Sequence, residues 1–411
     1  MTHPNPPTTA TPEESQSIGL AVILAARTIS NVPFRLSTFF LPAIARGLGV
    51  TLSAAGVLVS TASLMGLVAP LFGALSDRVG GRRVMIFATA LFVVGALLIA
   101  GLPLYSVAIV AFGLIGLTKM AFDPAMQVFI GQRVPYERRG RVLGLVELAW
   151  SFSLLAMPLC GWLIDTLSWR VPYLLLGLIG VPVWWLTRRA LPGDLPAGPP
   201  SDPQTWDLRR TLSAFLAQVR DVVRDSQSLL ALATLALIGF AQINVLVVYG
   251  AWMEDRFGLS VSNLGVVTLV IGAAELLAEL AVAFISDRLG KRRSVFISVI
   301  FTGVAYLVLP HLTASLAAAL VGTAVMTFFF EFTIVALLPL VSGMSADARG
   351  TVMSLGRAAG AVSRAIAAPV GVALYTAAPG APGNIGRNGP VSALACLLLL
   401  LVLLRLHERG Q

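Results

Sequence analysis

The sequence is short of charge and of reactive side chains. Only 12% of its 411 residues are charged, whereas roughly 25% is usual in a soluble domain, and 57% are hydrophobic. The two cysteines, Cys160 and Cys396, lie inside apolar segments, and the three histidines are scattered. These shortages exclude a soluble enzyme, a disordered protein, a disulfide scaffold and a histidine–cysteine metal site. The mean hydropathy of +0.85 indicates a membrane protein built from many helices.

Apolar runs long enough to cross a bilayer occur twelve times. A helix needs about 20 mostly apolar residues to cross the roughly 30 Å hydrocarbon core. In chain order, from the first to the twelfth span, these runs are 18–45, 51–76, 83–101, 104–132, 141–165, 169–189, 229–253, 262–286, 294–311, 313–342, 350–378 and 389–405. They predict one six-helix bundle over 18–190 and a second over 229–405.

Basic residues are unequally divided between the two sides of these spans. Of the 29 Lys and Arg, twenty lie in loops or tails on the side that holds both termini, and four lie in loops on the opposite side. Because loops rich in Lys and Arg stay in the cytosol, both termini are predicted to be cytosolic in a multi-pass plasma-membrane protein. The net charge of +9 is then explained by basic loops at the surface of a lipid bilayer, and nucleic acid is not expected as a partner.

Three segments lie outside the predicted bundles. Residues 1–17 are polar and lack the basic start of a signal peptide, so we expect a disordered cytosolic tail. Residues 191–228 form a cytosolic linker, in which the apolar residues of 206–225 fall on one helical stripe. This stripe predicts an amphipathic helix at the headgroups, and a plain tether between the halves is the alternative. Residues 406–411 form a second cytosolic tail.

The sequence repeats itself at an offset of 210 residues. SDRVGGRR begins at Ser76 and SDRLGKRR begins at Ser286, and the same offset carries Gly161 onto Gly371. A repeat that spans both halves predicts two parallel six-helix bundles related by a pseudo-twofold axis. Any substrate site would then lie between them, near the bilayer midplane.

The repeated loop and the fifth span resemble known transporter motifs. The loop residues resemble the signature between the second and third helices of the major facilitator superfamily (MFS); they are Gly73, Asp77, Arg78, Gly80, Arg82 and Arg83, with Asp287, Arg288, Gly290 and Arg293 in the second half. Gly144, Pro158 and Gly161 resemble the Gly/Pro motif of drug/proton antiporters, although Ser153, Met157 and Trp162 stand where that motif has glycines. The resemblance covers the chain after residue 17 and implies an all-α, twelve-helix, usually monomeric transporter.

The resemblance also implies a role for the loop motif. Asp77 would lie at the start of the eleventh span and Asp287 at the start of the fifth, where helix N-termini attract a carboxylate. Gly73 would let the second span approach its neighbour closely. Together these contacts would form a latch between the halves that breaks when the carrier turns inward. The alternative is that the loop residues serve only membrane topology and helix-end capping.

Ten charged residues lie inside the predicted spans, five of each sign. Such charges are costly in lipid and face a cavity or a partner. The cations are Arg27, Arg35, Lys119, Arg357 and Arg364, and the acids are Asp123, Glu147, Glu275, Glu279 and Glu331. Because a paired charge is far less costly than a lone one, we expect many of them to pair.

The resemblance implies that the first, fourth, seventh and tenth spans line the cavity. The polar residues on these spans are therefore our candidates for the substrate and proton site: Arg27, Asn31, Arg35, Lys119, Asp123, Gln242, Asn244 and Glu331. Glu331, which lies among phenylalanines, and Asp123 are the leading proton carriers. The alternative is that Asp123 and the cations around it form only structural pairs.

The remaining charges are expected where the two halves meet. The resemblance places the fifth span beside the eighth and the second beside the eleventh. Glu147 and Arg357 are equivalent by the repeat, and either Arg357 or the eighth span faces Glu147. Glu275, Glu279 and Arg364 complete this set of candidates.

No motif for covalent chemistry, ATP binding or a cofactor occurs in the sequence. The prediction is therefore a secondary active transporter and not an enzyme. It would work by rocker-switch alternating access and export a small amphipathic molecule in exchange for protons. One alternative is a symporter or facilitator for a small organic anion. An alternative of another class is a transporter-like receptor that binds its ligand without moving it.

Overall fold

The computed structural model describes residues 12–194, 225–342, 349–377 and 384–406, with four further positions between 213 and 224. Most of the predicted linker 191–228, including nearly all of the amphipathic stripe 206–225, lies outside the described residues. Residues 1–11 and 407–411 of the two tails lie outside them as well. Residues 12–17, expected to be disordered, are instead the start of the first helix.

The first half contains six spans, and nearly every described residue is helical. They are Pro12–Phe39 continued by Leu41–Leu48; Leu52–Leu64 with a 3-10 turn at Met65–Val68 and then Ala69–Val79; Gly81–Gly101; Tyr105–Arg133; Tyr136–Phe152 with a 3-10 turn at Ser153–Ala156 and then Met157–Thr166; and Val171–Ala190. Each helix or broken helix coincides with one of the apolar runs identified in the sequence.

The second half repeats this arrangement. Its spans are Ser226–Leu246 continued by Tyr249–Phe257; Val261–Leu289; Lys291–Val308 with a 3-10 turn at Leu309–His311; Leu316–Ser342; Arg349–Thr376; and Asn388–Arg405. The seventh span is broken before Tyr249 just as the first is broken before Leu41, so the two halves share this irregularity.

Ten helices of the described chain are long and apolar enough to cross a membrane. An eleventh span is counted if the pair Leu41–Leu48 and Leu52–Val68, bent by 113°, is taken together. The helix Pro12–Phe39, which carries Arg27 and Arg35, is outside this count. Large apolar side chains such as Leu155 and Phe284, 67% and 69% exposed, cover the outer surface. Such a surface suits contact with lipid.

Helix ends show why the two halves fold alike. Thr51 and Ser260 each accept a hydrogen bond from the backbone N–H three residues on, which caps the second and eighth spans. Gly80 and Gly290 stand in equivalent turns with φ of +99° and +82°. Only glycine adopts this conformation without strain, so the repeated glycines of the loop motif are required by the turn.

The packing of the spans gives two bundles with two seams. In the first bundle the third span packs on the fourth and sixth, and in the second the ninth packs on the tenth and twelfth. The halves meet where the fifth span packs on the eighth and the second on the eleventh. At the fifth–eighth seam, a Cβ added to Gly161 would lie 2.6 Å from the carbonyl oxygen of Val261. The small residue therefore permits backbone contact between the halves.

The described polar contacts between the halves lie at mid-height or on the side opposite the termini, which we call the far side. Arg46 binds Glu254 there at 2.6 Å. The Asp165 carboxylate accepts hydrogen bonds from the hydroxyl and backbone N–H of Ser262, at 2.7 and 3.2 Å. At mid-height, the Ser60 hydroxyl donates to the carbonyl of Ala365 at 2.7 Å. This arrangement holds the far side closed.

Candidate functional site

Arg27 organises a charge cluster inside the first bundle. Its Nε lies 3.1 Å from Asp123 of the fourth span, and its Nη2 lies 2.7 Å from Glu147 of the fifth. Its Nη1 donates to the carbonyl of Val146 at 2.8 Å. Glu147 therefore pairs with the first span. Neither Arg357 nor the eighth span, the two neighbours that the sequence left open, supplies a described ion pair to Glu147. Sequence equivalence in a repeat places two residues alike and not next to each other.

Lys119 extends this cluster along the fourth span. Its Nζ donates to the Asn31 side chain at 2.7 Å and lies 3.6 Å from Asp123, one helical turn away. Asp123 thus has two cationic partners, Arg27 and Lys119, on two different helices. The structure brings together the candidates that the sequence placed on the first and fourth spans.

Arg35 forms an ion pair across the seam between the halves. Both of its terminal nitrogens bind the Glu275 carboxylate of the eighth span, at 2.9 and 2.5 Å. The two side chains are 5% and 1% exposed. A bidentate pair of this kind fixes geometry as well as charge. Arg35, predicted as a substrate residue, thus meets Glu275, predicted as a seam residue.

Trp150 of the fifth span lies between the two clusters. The Arg35 guanidinium is 3.9 Å from the centre of its ring, and Lys119 Nζ is 4.9 Å from it. An aromatic face attracts both cations. Trp150 is not among the residues predicted from the sequence. Its position three residues after Glu147 puts it on the same face of the fifth span, and this spacing could have indicated it.

Glu331 of the tenth span lies deep in the second bundle without a partner. It is 8% exposed, and the described chain offers it neither an ion pair nor a hydrogen bond. Glu275, Glu279 and Arg35 are its nearest charged neighbours. Glu279 is likewise outside every described ion pair. Glu331 therefore faces the pair that crosses the seam.

The two polar candidates of the seventh span face different neighbours. Asn244 is fully buried and donates to the Ser392 hydroxyl and the Asn388 carbonyl of the twelfth span, both at 2.9 Å. Asn388 donates back to the Asn244 carbonyl at 2.8 Å. These bonds direct Asn244 away from the first and fourth spans. Gln242 is partly exposed, and no hydrogen bond of its side chain occurs among the described residues.

The two arginines of the eleventh span are outside the ion pairs of the described chain. Arg357 is exposed, and Asp123 is close enough for the two charges to attract. Arg364 is partly buried where the eleventh span packs on the seventh. Arg357 therefore lies near the Arg27–Asp123 pair without joining it, and Arg364 lies outside both the Arg27 and the Arg35 pairs.

The loop motif is held by an aspartate that the sequence analysis did not single out. Asp194, just after the sixth span, accepts hydrogen bonds from the backbone N–H groups of Arg82 and Arg83, at 2.8 and 3.3 Å. It thereby caps the third span. Arg82 Nε donates to the carbonyl of Leu191 at 2.9 Å. In the described chain Arg82 therefore ties the sixth span to its own bundle and does not bridge the halves.

The second half has the same contact at the 210-residue offset. Arg292 donates to the carbonyl of Leu403, near the end of the twelfth span, at 3.2 Å. Arg82 and Arg292 thus bind the C-terminal carbonyls of the last span in each bundle, which a cation suits. Arg82 and Arg292 are equivalent by the 210-residue offset, so the repeat could have predicted that Arg292 is a counterpart of Arg82.

The other residues of the loop motif make few described contacts. Asp77, Arg78 and Arg288 are exposed, and the Asp77 side chain makes no described hydrogen bond. The side chain of Asp287 and the residues before the eleventh span lie outside the described part, so the latch stays a prediction. No described contact defines a role for Arg293.

The glycine candidates divide between contact and open space. A Cβ on Gly73 would lie 4.0 Å from Pro124, an ordinary contact, and the side chains that begin the eleventh span lie outside the described part, so the close approach at Gly73 stays a prediction. The second span meets the eleventh closely at Gly66, against Ala361, because the seam lies on that face. Gly144 faces open space, whereas Gly161 lies in the seam. Pro158 begins the helical segment after the 3-10 turn of the fifth span.

Comparison with known proteins gives the family. The model of the Major Facilitator Superfamily matches residues 18–249 and 230–411. The uncharacterized MFS-type transporter YceJ of Bacillus subtilis is 25% identical over 78% of this chain and 79% of its own length. The tetracycline resistance protein, class C, of Escherichia coli is 28% identical over 72% of this chain and 74% of its own length.

Solved structures confirm the predicted fold. A bacterial homolog of the human lysosomal transporter Spinster, in an inward-facing and unoccupied conformation, superposes with a TM-score of 0.72 at 12% identity, covering 97% of this chain and 96% of that one. The nucleoside transporter NupG gives 0.74 at 12% identity, covering 95% and 100%. With two six-helix bundles, a repeated loop motif and ion pairs buried between the spans, the chain belongs to the Major Facilitator Superfamily and is a multi-pass membrane transporter and not an enzyme.

Proposed function

We propose that the protein exports a small amphipathic molecule in exchange for protons, by rocker-switch alternating access, as a monomer in the plasma membrane with both termini in the cytosol. The far side is then extracellular. Contacts such as that of Arg46 with Glu254 join the halves on that side.

Glu331 is the observation that carries the proton-coupling proposal. A carboxyl group inside a membrane protein is costly unless it is paired or protonated, and the described chain offers Glu331 no cation partner. Asp123, the other leading candidate, is bound by both Arg27 and Lys119. The geometry therefore favours Glu331 as the group that exchanges a proton with the cavity, and favours Asp123 as a member of a stable cluster.

The position of Glu331 links proton exchange to movement of the halves. Glu331 faces Arg35 and Glu275, which form a bridge from the first span to the eighth. A charged Glu331 competes with Glu275 for Arg35, and a protonated Glu331 does not. Because a ligand or proton shifts a conformational equilibrium only through different interactions in the two states, this competition is a way for protonation to bias the seam.

The relatives favour an amphipathic, drug-like cargo. Two matched proteins are named for tetracycline resistance, class C and class E. The alternative of a symporter or facilitator for an organic anion is less well supported. The cations that favoured it, Arg27, Arg35 and Lys119, are all bound by acids of the chain. Export of an amphipathic molecule is therefore the better supported function.

The decisive experiment measures flux of tetracycline in proteoliposomes, with and without a pH gradient. We expect the gradient to drive accumulation by the native protein. Glu331→Gln should abolish gradient-driven accumulation and retain exchange of tetracycline between the two sides, and Glu331→Asp should restore part of the coupling. An unchanged dependence on the gradient in Glu331→Gln would remove Glu331 as the coupling residue.

A further inference from the structure

Six of the ten charges inside the spans are used in described ion pairs. Arg27 and Lys119 bind Asp123, Arg27 also binds Glu147, and Arg35 binds Glu275. The four charges left over in the described chain fall into two sets by sign. The acids Glu279 and Glu331 lie on the eighth and tenth spans, and the cations Arg357 and Arg364 lie on the eleventh.

The two leftover cations have different surroundings. Arg357 is exposed and lies near Asp123. Arg364 is partly buried, and no described acid lies near its guanidinium. A lone arginine inside a membrane bundle marks a pathway or a binding site more often than a structural support. Arg364 is therefore the cation whose counter-charge the described chain does not supply.

Neighbouring contacts on the eleventh span show the direction of Arg364. Ala361 and Ala365 face the second span, Gly360 faces the seventh, and Ile366 is 53% exposed toward lipid. At about 100° per residue, position 364 lies between the faces toward the second and seventh spans and away from the lipid face. Arg364 therefore points into the space between the two halves.

Two glycines border the Arg364 side chain. A Cβ on Gly360 would lie 3.6 Å from Arg364 Nη1, and one on Gly239 of the seventh span would lie 3.8 Å from Arg364 Cγ. A larger side chain at either position would occupy this space. Gln242 lies three residues after Gly239, which is the same face of the seventh span, and its side chain has no described hydrogen bond. It offers an amide on the face of the seventh span that meets the Arg364 side chain.

We propose that Arg364, assisted by Gln242, binds an anionic group of the transported molecule, so that the cargo is an amphipathic organic anion. A planar carboxylate matches the two parallel N–H donors of a guanidinium. The inference rests on the proposed transport function for the meaning of the site. Binding at Arg364 is a separate property, measurable without transport.

The test compares three probes that share one ring system and differ in charge: 2-naphthoate, 2-naphthylmethylamine and 2-naphthalenemethanol. Thermal unfolding of the purified protein in a neutral detergent is followed at increasing probe concentration, because a ligand of the folded state raises the unfolding midpoint. We expect 2-naphthoate to give the largest shift. Arg364→Gln should weaken its apparent affinity roughly tenfold or more, since a hydrogen-bonded charge is lost.

Two further variants keep the test sharp. Arg357→Gln removes a cation from the same span two turns away and should retain the 2-naphthoate shift. If Arg364→Gln does not fold, Gly360→Val serves instead, because it keeps the charge and fills the space beside it; it should also reduce the shift. The three probes should act alike on a protein whose site merely accepts the naphthalene ring.

Two results would overturn the proposal. One is a 2-naphthoate shift that is unchanged in both Arg364→Gln and Gly360→Val. The other is a shift by the amine or the alcohol as large as that by the carboxylate. A protein that binds 2-naphthoate through Arg364 but shows no gradient-driven flux in proteoliposomes would instead contradict the proposed function and leave the anion site intact.

Discussion

At the residue scale, the site depends on which charges are satisfied by others. The bridge from Arg35 to Glu275 is bidentate, nearly inaccessible to solvent and stacked on Trp150. Two charges removed from water are tolerated only while both remain paired. The same rule separates residues that are paired, such as Arg27 and Asp123, from those that we propose to meet cargo or protons, Arg364 and Glu331.

The Arg35–Glu275 bridge gives the first prediction. Arg35→Gln or Glu275→Gln should each destabilise the protein by about 3–5 kcal/mol, because one buried charge is left alone. The double variant Arg35→Met with Glu275→Leu should recover most of this stability and remain inactive in transport. Thermal unfolding in detergent and flux in proteoliposomes measure the two effects. Single variants as stable as the native protein would contradict the assigned role.

The charged residues inside the spans could be predicted from the sequence, but the residues that they pair with could not. Arg27, Asn31 and Arg35 are four residues apart, a spacing that puts them on one helical face. This spacing could not show that Glu147 meets Arg27 on another helix, because periodicity gives a face and the tertiary fold gives the neighbour. Asn244 shows the same limit, because no pattern in the seventh span indicated that its side chain bonds to the twelfth span.

At the scale of elements, the loop motif of the first bundle works as a clamp on its own helices. Asp194 caps the third span, and Arg82 binds the end of the sixth. The chain therefore leaves the first bundle from a fixed point. The motif was recognised from its sequence. Asp194 lies 111 residues from Arg83 along the chain, so no local sequence pattern could predict their contact.

Loss of the Asp194 cap is the second prediction. Asp194→Ala should destabilise the first bundle by about 1 kcal/mol, the usual effect of a lost N-terminal cap, and should speed proteolysis after the sixth span. Limited proteolysis of the purified protein, read by mass spectrometry, measures the change. Asp165→Ala, which removes a far-side contact, is the control and should leave cleavage after residue 190 unchanged. Equal cleavage in Asp194→Ala and the native protein would exclude the clamp.

Small residues at the fifth–eighth seam give the third prediction. Gly161 meets the backbone of Val261, and Gly265 meets that of Met157. Gly161→Leu should force the spans apart and reduce transport strongly, because neither backbone can yield. Gly144→Leu in the same span, where a side chain meets open space, should retain transport. A native rate in Gly161→Leu would show that the seam tolerates separation.

At the scale of the whole molecule, the two bundles were readable from the sequence. The twelve apolar runs follow from the thickness of a bilayer, and the repeat at 210 residues follows from the equivalence of the halves. The state of the carrier was not readable, since the same sequence must form both seams in every state. Arg46 illustrates this, because the sequence predicted only that it lies in a loop, and the fold places it beside Glu254 of the other half.

Locking the far side gives the fourth prediction. Arg46→Cys combined with Glu254→Cys, bridged through disulfides by a short bifunctional thiosulfonate reagent that replaces the length of the two native side chains, should hold the two halves together and stop transport, and a reductant should restore it. The native Cys160 and Cys396 are buried and are expected to stay inert. Flux before and after reduction is the measurement, with each single variant as control. Full transport by the bridged double variant would mean that the two residues need not separate.

The exposure of the Arg46–Glu254 contact has a consequence for the environment of the cell. The Arg46 side chain is 59% exposed, so dissolved ions screen its attraction to Glu254, over a Debye length of about 8 Å at physiological ionic strength. The enclosed Arg35–Glu275 pair is shielded from them. With the proposed topology, a rise in external salinity should therefore loosen this contact and favour separation of the halves on that side.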